Sequence, residues 1–195
     1  MRGGNRIKVL VVEDHPVTRR GLVAILDGYE SVSKVAEAGG AMEALTVMRE
    51  FEADVVVLDI SLPDLDGIHV IYELNDRHPD AKVLMVSSSN RTQDISRAFA
   101  AGADGYCFKD EYIDYSLRSA LRSVCADQFW LDPISAAQLG MLCAASAAKA
   151  DVKLLTQVES DLLNSIATRR SDVAEQSNQK IIAGIVAKLR QRQAA

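Results

Sequence analysis

Residues 7–125 alternate between two hydrophobic periods, and that alternation restricts the fold more than any other property of the chain. Five dense apolar runs, IKVLVVE (7–13), VSKVAEA (32–38), DVVVLDI (54–60), AKVLMVS (81–87) and ADGYCF (103–108), have strand character. VVVLDI has no polar face, as expected of a strand covered on both sides in a parallel sheet. After each run comes a stretch with apolar residues three or four apart: VTRRGLVAILDGY (17–29), AMEALTVMREF (41–51), IHVIYELNDR (68–77), TQDISRAFAAG (92–102) and YIDYSLRSALRSVC (112–125). Right-handed crossovers put such helices on both faces of the sheet, so the pattern predicts an α/β fold built on a five-stranded doubly wound parallel sheet. Ligands of these sheets bind beyond the carboxyl ends of the strands.

Composition narrows the setting. The 195 residues are 48% apolar and 25% charged, the balance of a globular protein rather than a disordered one. No stretch approaches the roughly 18 consecutive apolar residues of a membrane span, and MRGGNRIK is not followed by a signal-type cleavage pattern. A cytoplasmic protein with no membrane partner is expected. Cys107, Cys125 and Cys143 form neither a disulfide framework nor a CxxC pair, and the three histidines are too scattered for a zinc site.

Acids gather at one rim of the expected sheet. Asp59 ends the third apolar run, and Glu13 and Asp14 end the first, so all three converge if those strands are neighbours. At ~4 Å and an effective dielectric of about 20, each like-charged pair costs on the order of 4 kcal/mol, which calls for a proton or a cation. Oxygen ligands without His or Cys favour a hard divalent ion, Mg2+. The fourth run ends in Ser87-Ser88-Ser89 and the fifth in YCFK, bringing Lys109 to the same edge. A serine hydroxyl, a lysine and Mg2+ together would neutralise and orient the oxygens of a phosphoryl group transferred to Asp59, which then acts as a nucleophile on a rigid strand.

EDHP, VVVLDISLPDLDG, VSSS and AGADGYCFKD, in that order, resemble the CheY-like, flavodoxin-like receiver domain of two-component response regulators, and EDHP with RRGL resembles the NarL/FixJ subfamily with its LuxR-type output. The resemblance spans residues 7–125. It implies that Asp59 is the phosphoacceptor, that Glu13, Asp14, Asp59 and the main-chain carbonyl of Ser61 hold the metal, and that Ser87, Lys109 and Tyr106 bind phosphate and switch. It also implies that added charge at Asp59 draws Ser87 toward the phosphoryl oxygens and lets Tyr106 turn inward. A sensor histidine kinase as phosphodonor and a homodimer follow from the same resemblance. Asp110 departs from the pattern, standing where many receivers have proline.

Taken singly, these residues have ordinary readings: solvated caps for Glu13 and Asp14, a turn for the serines, a surface cation for Lys109, core for Tyr106. Five matches at the ends of four strands fit one site, and the joint functional reading prevails. His15 and Pro16 are expected to begin the first helix rather than to bind metal.

Beyond the receiver-like stretch, residues 1–125, the pattern weakens. Residues 126–150 are expected to form a linker and residues 151–195 a small all-α C-terminal domain. LTQVESDLLNSIATRRS (155–171), with its Thr156/Glu159 capping box, resembles the opening helix of a LuxR-type DNA-binding unit, and SNQKIIAGIVAKL (177–189) its recognition helix. Only DVAEQ separates them, about eight residues too few for a helix-turn-helix, so the unit reads as truncated and degenerate. Gln179 and Ile181 replace the basic residue and histidine of the family pattern. Lys180, Lys188 and Arg190 remain as candidate contacts to DNA phosphates. Residues 1–125 hold 14 basic against 20 acidic side chains, a balance of −6, and residues 126–195 hold 8 against 7, or +1. That asymmetry permits a DNA contact and is too small to argue for one.

Three functions stand at this point. The chain is a phosphorylation-controlled transcription regulator binding DNA through a reduced output, a regulator whose degenerate output acts by dimerisation or protein binding, or a phosphohydrolase using Asp59. The last is weak, since such enzymes commonly carry a second acid two residues after the nucleophile, where this chain has Ser61.

Overall fold

The computed structural model describes residues 6–147 and 176–193. Strands β1 (Ile7–Val12), β2 (Val32–Ala38), β3 (Val55–Leu58), β4 (Lys82–Ser87) and β5 (Gly105–Phe108) alternate with helices α1 (Pro16–Asp27), α2 (Ala41–Phe51), α3 (Gly67–Arg77), α4 (Thr92–Ala101) and α5 (Ile113–Val124). All strands pair in parallel, in the order β2-β1-β3-β4-β5, with a further strand beyond β5. Every residue of β3 is buried, which accounts for a run of valines without a polar face.

Local sequence sets the boundaries. Pro16 opens α1 at the first helical position, where its missing N–H costs nothing. Asp66 caps α3 by accepting from Ile68 N at 3.0 Å. Asp64 accepts from Ala41 N and Met42 N, both at 2.9 Å, so the loop after β3 caps α2 and is tethered by doing so. Gly102, with φ +117°, ends α4 in a conformation that side chains disfavour.

One detail of the sheet differs from expectation. The sheet has six strands, not five, and the sixth comes from within the expected linker: β6 (Trp130–Leu131) pairs with Gly105 and Tyr106 of β5. Two residues are too few to show a period, so the strand is invisible as a pattern. Asp132 secures it: its carboxylate accepts from Phe108 N across the strand pair, and from Ile134 N, Ser135 N and the Ser135 hydroxyl at the start of α6 (Pro133–Ala147). A strand and a helix therefore occupy residues 130–147.

At the C-terminal end, α7 (Gln176–Gln193) packs on α4, and Ile182, Ile185, Val186 and Leu189 are buried there. The expected opening helix, 155–171, and all of residues 148–175 between α6 and α7 lie outside the described residues.

Candidate phosphoryl-acceptor site

Parallel pairing of β1 with β3 brings the acids together. Val12 lies opposite Leu58, and Asp59 N donates to Val12 O at 3.0 Å, so Glu13 and Asp59 leave adjacent strands at the same level. One carboxylate oxygen from each of Glu13, Asp14 and Asp59 lies within 4.8 Å of the others. Glu13 and Asp59 are 2% and 6% exposed, while Asp14 faces solvent.

Lys109 enters from the end of β5, held in place by its N–H donating to Ser87 O at 2.9 Å. Its ammonium contacts Glu13 Oε2 and lies 2.9 Å from Asp59 Oδ2. Three carboxylates thus face one ammonium. At these separations each like-charged pair costs on the order of 3 kcal/mol at an effective dielectric of about 20, so the pocket favours a further cation on its open, Asp14 side. The donor set is oxygen alone and fits a hard divalent ion. Ser61, exposed at the start of the following loop, is near the mouth in sequence.

Backbone contacts fix the acids. Asp59 Oδ1 accepts from Ile60 N at 2.8 Å, and Glu13 Oε1 from His15 N at 3.1 Å. Gly67 approaches so closely that a Cβ there would stand 2.2 Å from Asp59 O. Arg19, which sequence reasoning passed over, braces the acidic loop from α1. Its Nη1 donates to Glu13 O at 2.7 Å and its Nε to Glu37 at 3.1 Å. Its place in RRGL gave no sign of this, because the carbonyls it holds are a property of the folded loop.

Ser87 is 1% exposed at the end of β4, and its hydroxyl accepts from Ser89 N at 3.2 Å. Tyr106 is fully buried, and its hydroxyl donates to Ser89 O at 2.7 Å. Burial pushes the Tyr106 phenol above the ordinary tyrosine range, which keeps it a donor. The ring is turned inward in this structure. Asp110, in the place of the usual proline, accepts from Tyr112 N at 2.9 Å and shapes the turn into α5.

The C-terminal candidates are placed differently. Lys180 is exposed and Lys188 half-buried on α7. Arg190 is turned onto the body of the protein: Nε donates to Phe99 O at 3.1 Å, and the guanidinium lies 5.8 Å from the centre of the Phe129 ring. Gln179 pairs both ways with the Phe129 backbone, accepting from its N–H and donating to its carbonyl at 2.9 Å each. This amide covers the residue next to the open edge of β6.

Comparison with known proteins adds an independent line. The family model described as response regulator receiver domain matches residues 9–122. The chain is 35% identical over 192 residues to the DNA-binding transcriptional activator DevR/DosR of Mycobacterium tuberculosis, covering 94% of this chain and 88% of that one. It is 28% identical to the nitrate/nitrite response regulator protein NarL of Escherichia coli, covering 86% and 82%. Among solved structures, a LuxR-family two-component response regulator from Aurantimonas sp. superposes with a TM-score of 0.66 at 27% identity, over 74% of this chain and 99% of that one. The RcsB response regulator of Salmonella typhimurium shares the fold with a TM-score of 0.67 at 20% identity, over 97% and 90%.

Proposed function

Since the chain belongs to the response regulator receiver family, as a two-component phosphoacceptor protein that controls transcription rather than a catalytic enzyme, we propose that Asp59 is the residue phosphorylated. The observation that carries this is the meeting of Asp59, Glu13 and Lys109 at one strand edge, with Lys109 Nζ 2.9 Å from Asp59 Oδ2.

A sensor histidine kinase is the phosphodonor in this reading. An Asp59 carboxylate oxygen forms the new O–P bond, the P–N bond of the kinase phosphohistidine breaks, and the bonding pair stays on the imidazole. Glu13, Asp14, Asp59 and the main-chain carbonyl of Ser61 would hold Mg2+, which would supply positive charge for the phosphoryl oxygens. Lys109 supplies a second positive charge beside Asp59 Oδ2, and the buried Ser87 hydroxyl a donor. Ile60 N fixes the carboxylate for attack. The cytoplasm, where such kinases present their phosphohistidine, is the matching compartment. No helix among the described residues is long and apolar enough to cross a membrane.

For the output, α7 favours action without direct base reading. The apolar face of the helix that resembles a recognition helix is buried on α4, and Gln179 and Arg190 are engaged with Phe129 and Phe99. Domain boundaries at residues 125 and 150, a shortened output in 151–195 and a homodimer belong to this reading, and DNA phosphate contacts by Lys180, Lys188 and Arg190 to its rival.

Acetyl phosphate or beryllofluoride with Mg2+ is expected to modify wild-type protein and leave Asp59→Asn unmodified by mass and by 19F NMR. Equal response in both defeats the assignment.

A further inference from the structure

Asp94 is a buried acid that the phosphoryl chemistry leaves unused. It sits in the first turn of α4 and is 3% exposed. An acid in that turn ordinarily faces solvent and complements the helix dipole. This one turns inward to the loop after β4, where its Oδ2 accepts from the Ser89 hydroxyl at 2.5 Å and from Arg91 Nε and Nη2 at 2.9 Å.

Ser89 is fully committed by this contact. Its N–H donates to the Ser87 hydroxyl, its carbonyl accepts from Tyr106 and its own hydroxyl goes to Asp94. Ser87 Oγ accepts from Ser89 N and also shares a side-chain hydrogen bond with Tyr106, so Ser89, Ser87 and Tyr106 are ordered as one unit at the edge of the phosphoryl pocket. We propose that Asp94 is a positioning residue for phosphoryl binding: through Ser89 it holds the Ser87 hydroxyl and the inward Tyr106 in the receiving arrangement before the phosphoryl group arrives. The role rests on Asp59 as phosphoacceptor. Ordering the loop in advance lowers the entropy lost on binding, so its removal weakens binding of a phosphoryl mimic. Thr92 Oγ1 donates to Gln138 O at 3.2 Å, so the same turn of α4 also touches α6.

The test is a beryllofluoride titration of the full chain with saturating Mg2+, followed by 19F NMR, with Mg2+ affinity measured separately. Asp94→Ala and Ser89→Ala are each expected to weaken beryllofluoride binding about fivefold or more and to change Mg2+ affinity less than about twofold. Ser89→Ala keeps the Asp94–Arg91 pair and serves if Asp94→Ala fails to fold. In a Ser89→Ala background, which lacks the hydroxyl through which Asp94 acts, the added effect of Asp94→Ala is expected to shrink below about twofold. Undiminished effect in that background, or a parallel fall in Mg2+ affinity, overturns the proposal. Wild-type protein that binds while the variants bind equally well overturns the role of Asp94 alone. Wild-type protein that binds none overturns the phosphoacceptor reading and this role with it.

Discussion

The Lys109 ammonium lies between Asp59, at 2.9 Å, and Glu13, and is the one cation among the described side chains placed against both acids. Removing it leaves three carboxylates facing one another. Lys109→Ala is expected to slow phosphorylation by acetyl phosphate about a hundredfold, the usual scale for losing a donor aimed at transferring oxygens. The variant is also expected to melt lower than wild type without Mg2+ and to regain part of the difference when Mg2+ is added. Phosphorylation at the wild-type rate would remove Lys109 from the site.

Gly67 is required by its neighbour rather than by its own torsion angles. A methyl group there meets the Asp59 carbonyl oxygen at 2.2 Å and Ile60 Cα at 3.0 Å, and both are backbone atoms that cannot swing aside. Gly67→Ala is expected to destabilise the fold by about 2–3 kcal/mol in urea unfolding, the cost of overpacking a rigid site. It is also expected to shift Asp59 and lower beryllofluoride affinity. Retained stability would mean that the loop yields freely.

These two residues also show how far the sequence could be read. Asp59 and Lys109 were legible because each ends an apolar run, and in a parallel sheet the ends of such runs share one rim. Burial of β3 on both faces made VVVLDI unmistakable. Strand β6 left no trace because two residues have no period, and its anchor Asp132 binds Phe108, 24 positions away. Gln179 looked like a departure from a DNA-reading pattern. In the fold its amide pairs with the backbone of Phe129, 50 positions earlier, a relation that no local spacing announces. The inward setting of Tyr106 depends on a carbonyl in another loop and was equally hidden.

Asp64 provides a pH test. Its carboxylate accepts from Met42 N and Ala41 N, and these bonds hold its pKa below the ordinary 3.8. A depressed folded-state pKa means that the unfolded chain binds protons first as pH falls, so this stability is present above 3.8 and lost as pH drops through the folded value. Asp64→Ala is expected to cost about 1 kcal/mol at neutral pH, the scale of a lost N-cap. The gap between variant and wild type should narrow as pH is lowered below 3.8 in urea melts. A gap that stays constant with pH would mean the carboxylate charge plays no part in the cap.

Arg190 tests whether α7 is fastened or merely resting. The guanidinium joins the carbonyl of Phe99, near the end of α4, to the face of Phe129, just before β6. The hydrogen bond and the cation–π contact together are worth about 1–2 kcal/mol at an exposed residue. Arg190→Ala is therefore expected to raise amide hydrogen exchange across 176–193 about tenfold while β1, β3 and β4 keep their protection. Releasing the helix also exposes Ile182, Ile185, Val186 and Leu189, so the variant should self-associate more in sizing experiments. If α7 were held only as a DNA reader in waiting, the freed helix would instead bind promoter DNA more tightly, with a steep salt dependence carried by Lys180 and Lys188. Self-association without that DNA gain favours an output through protein contacts.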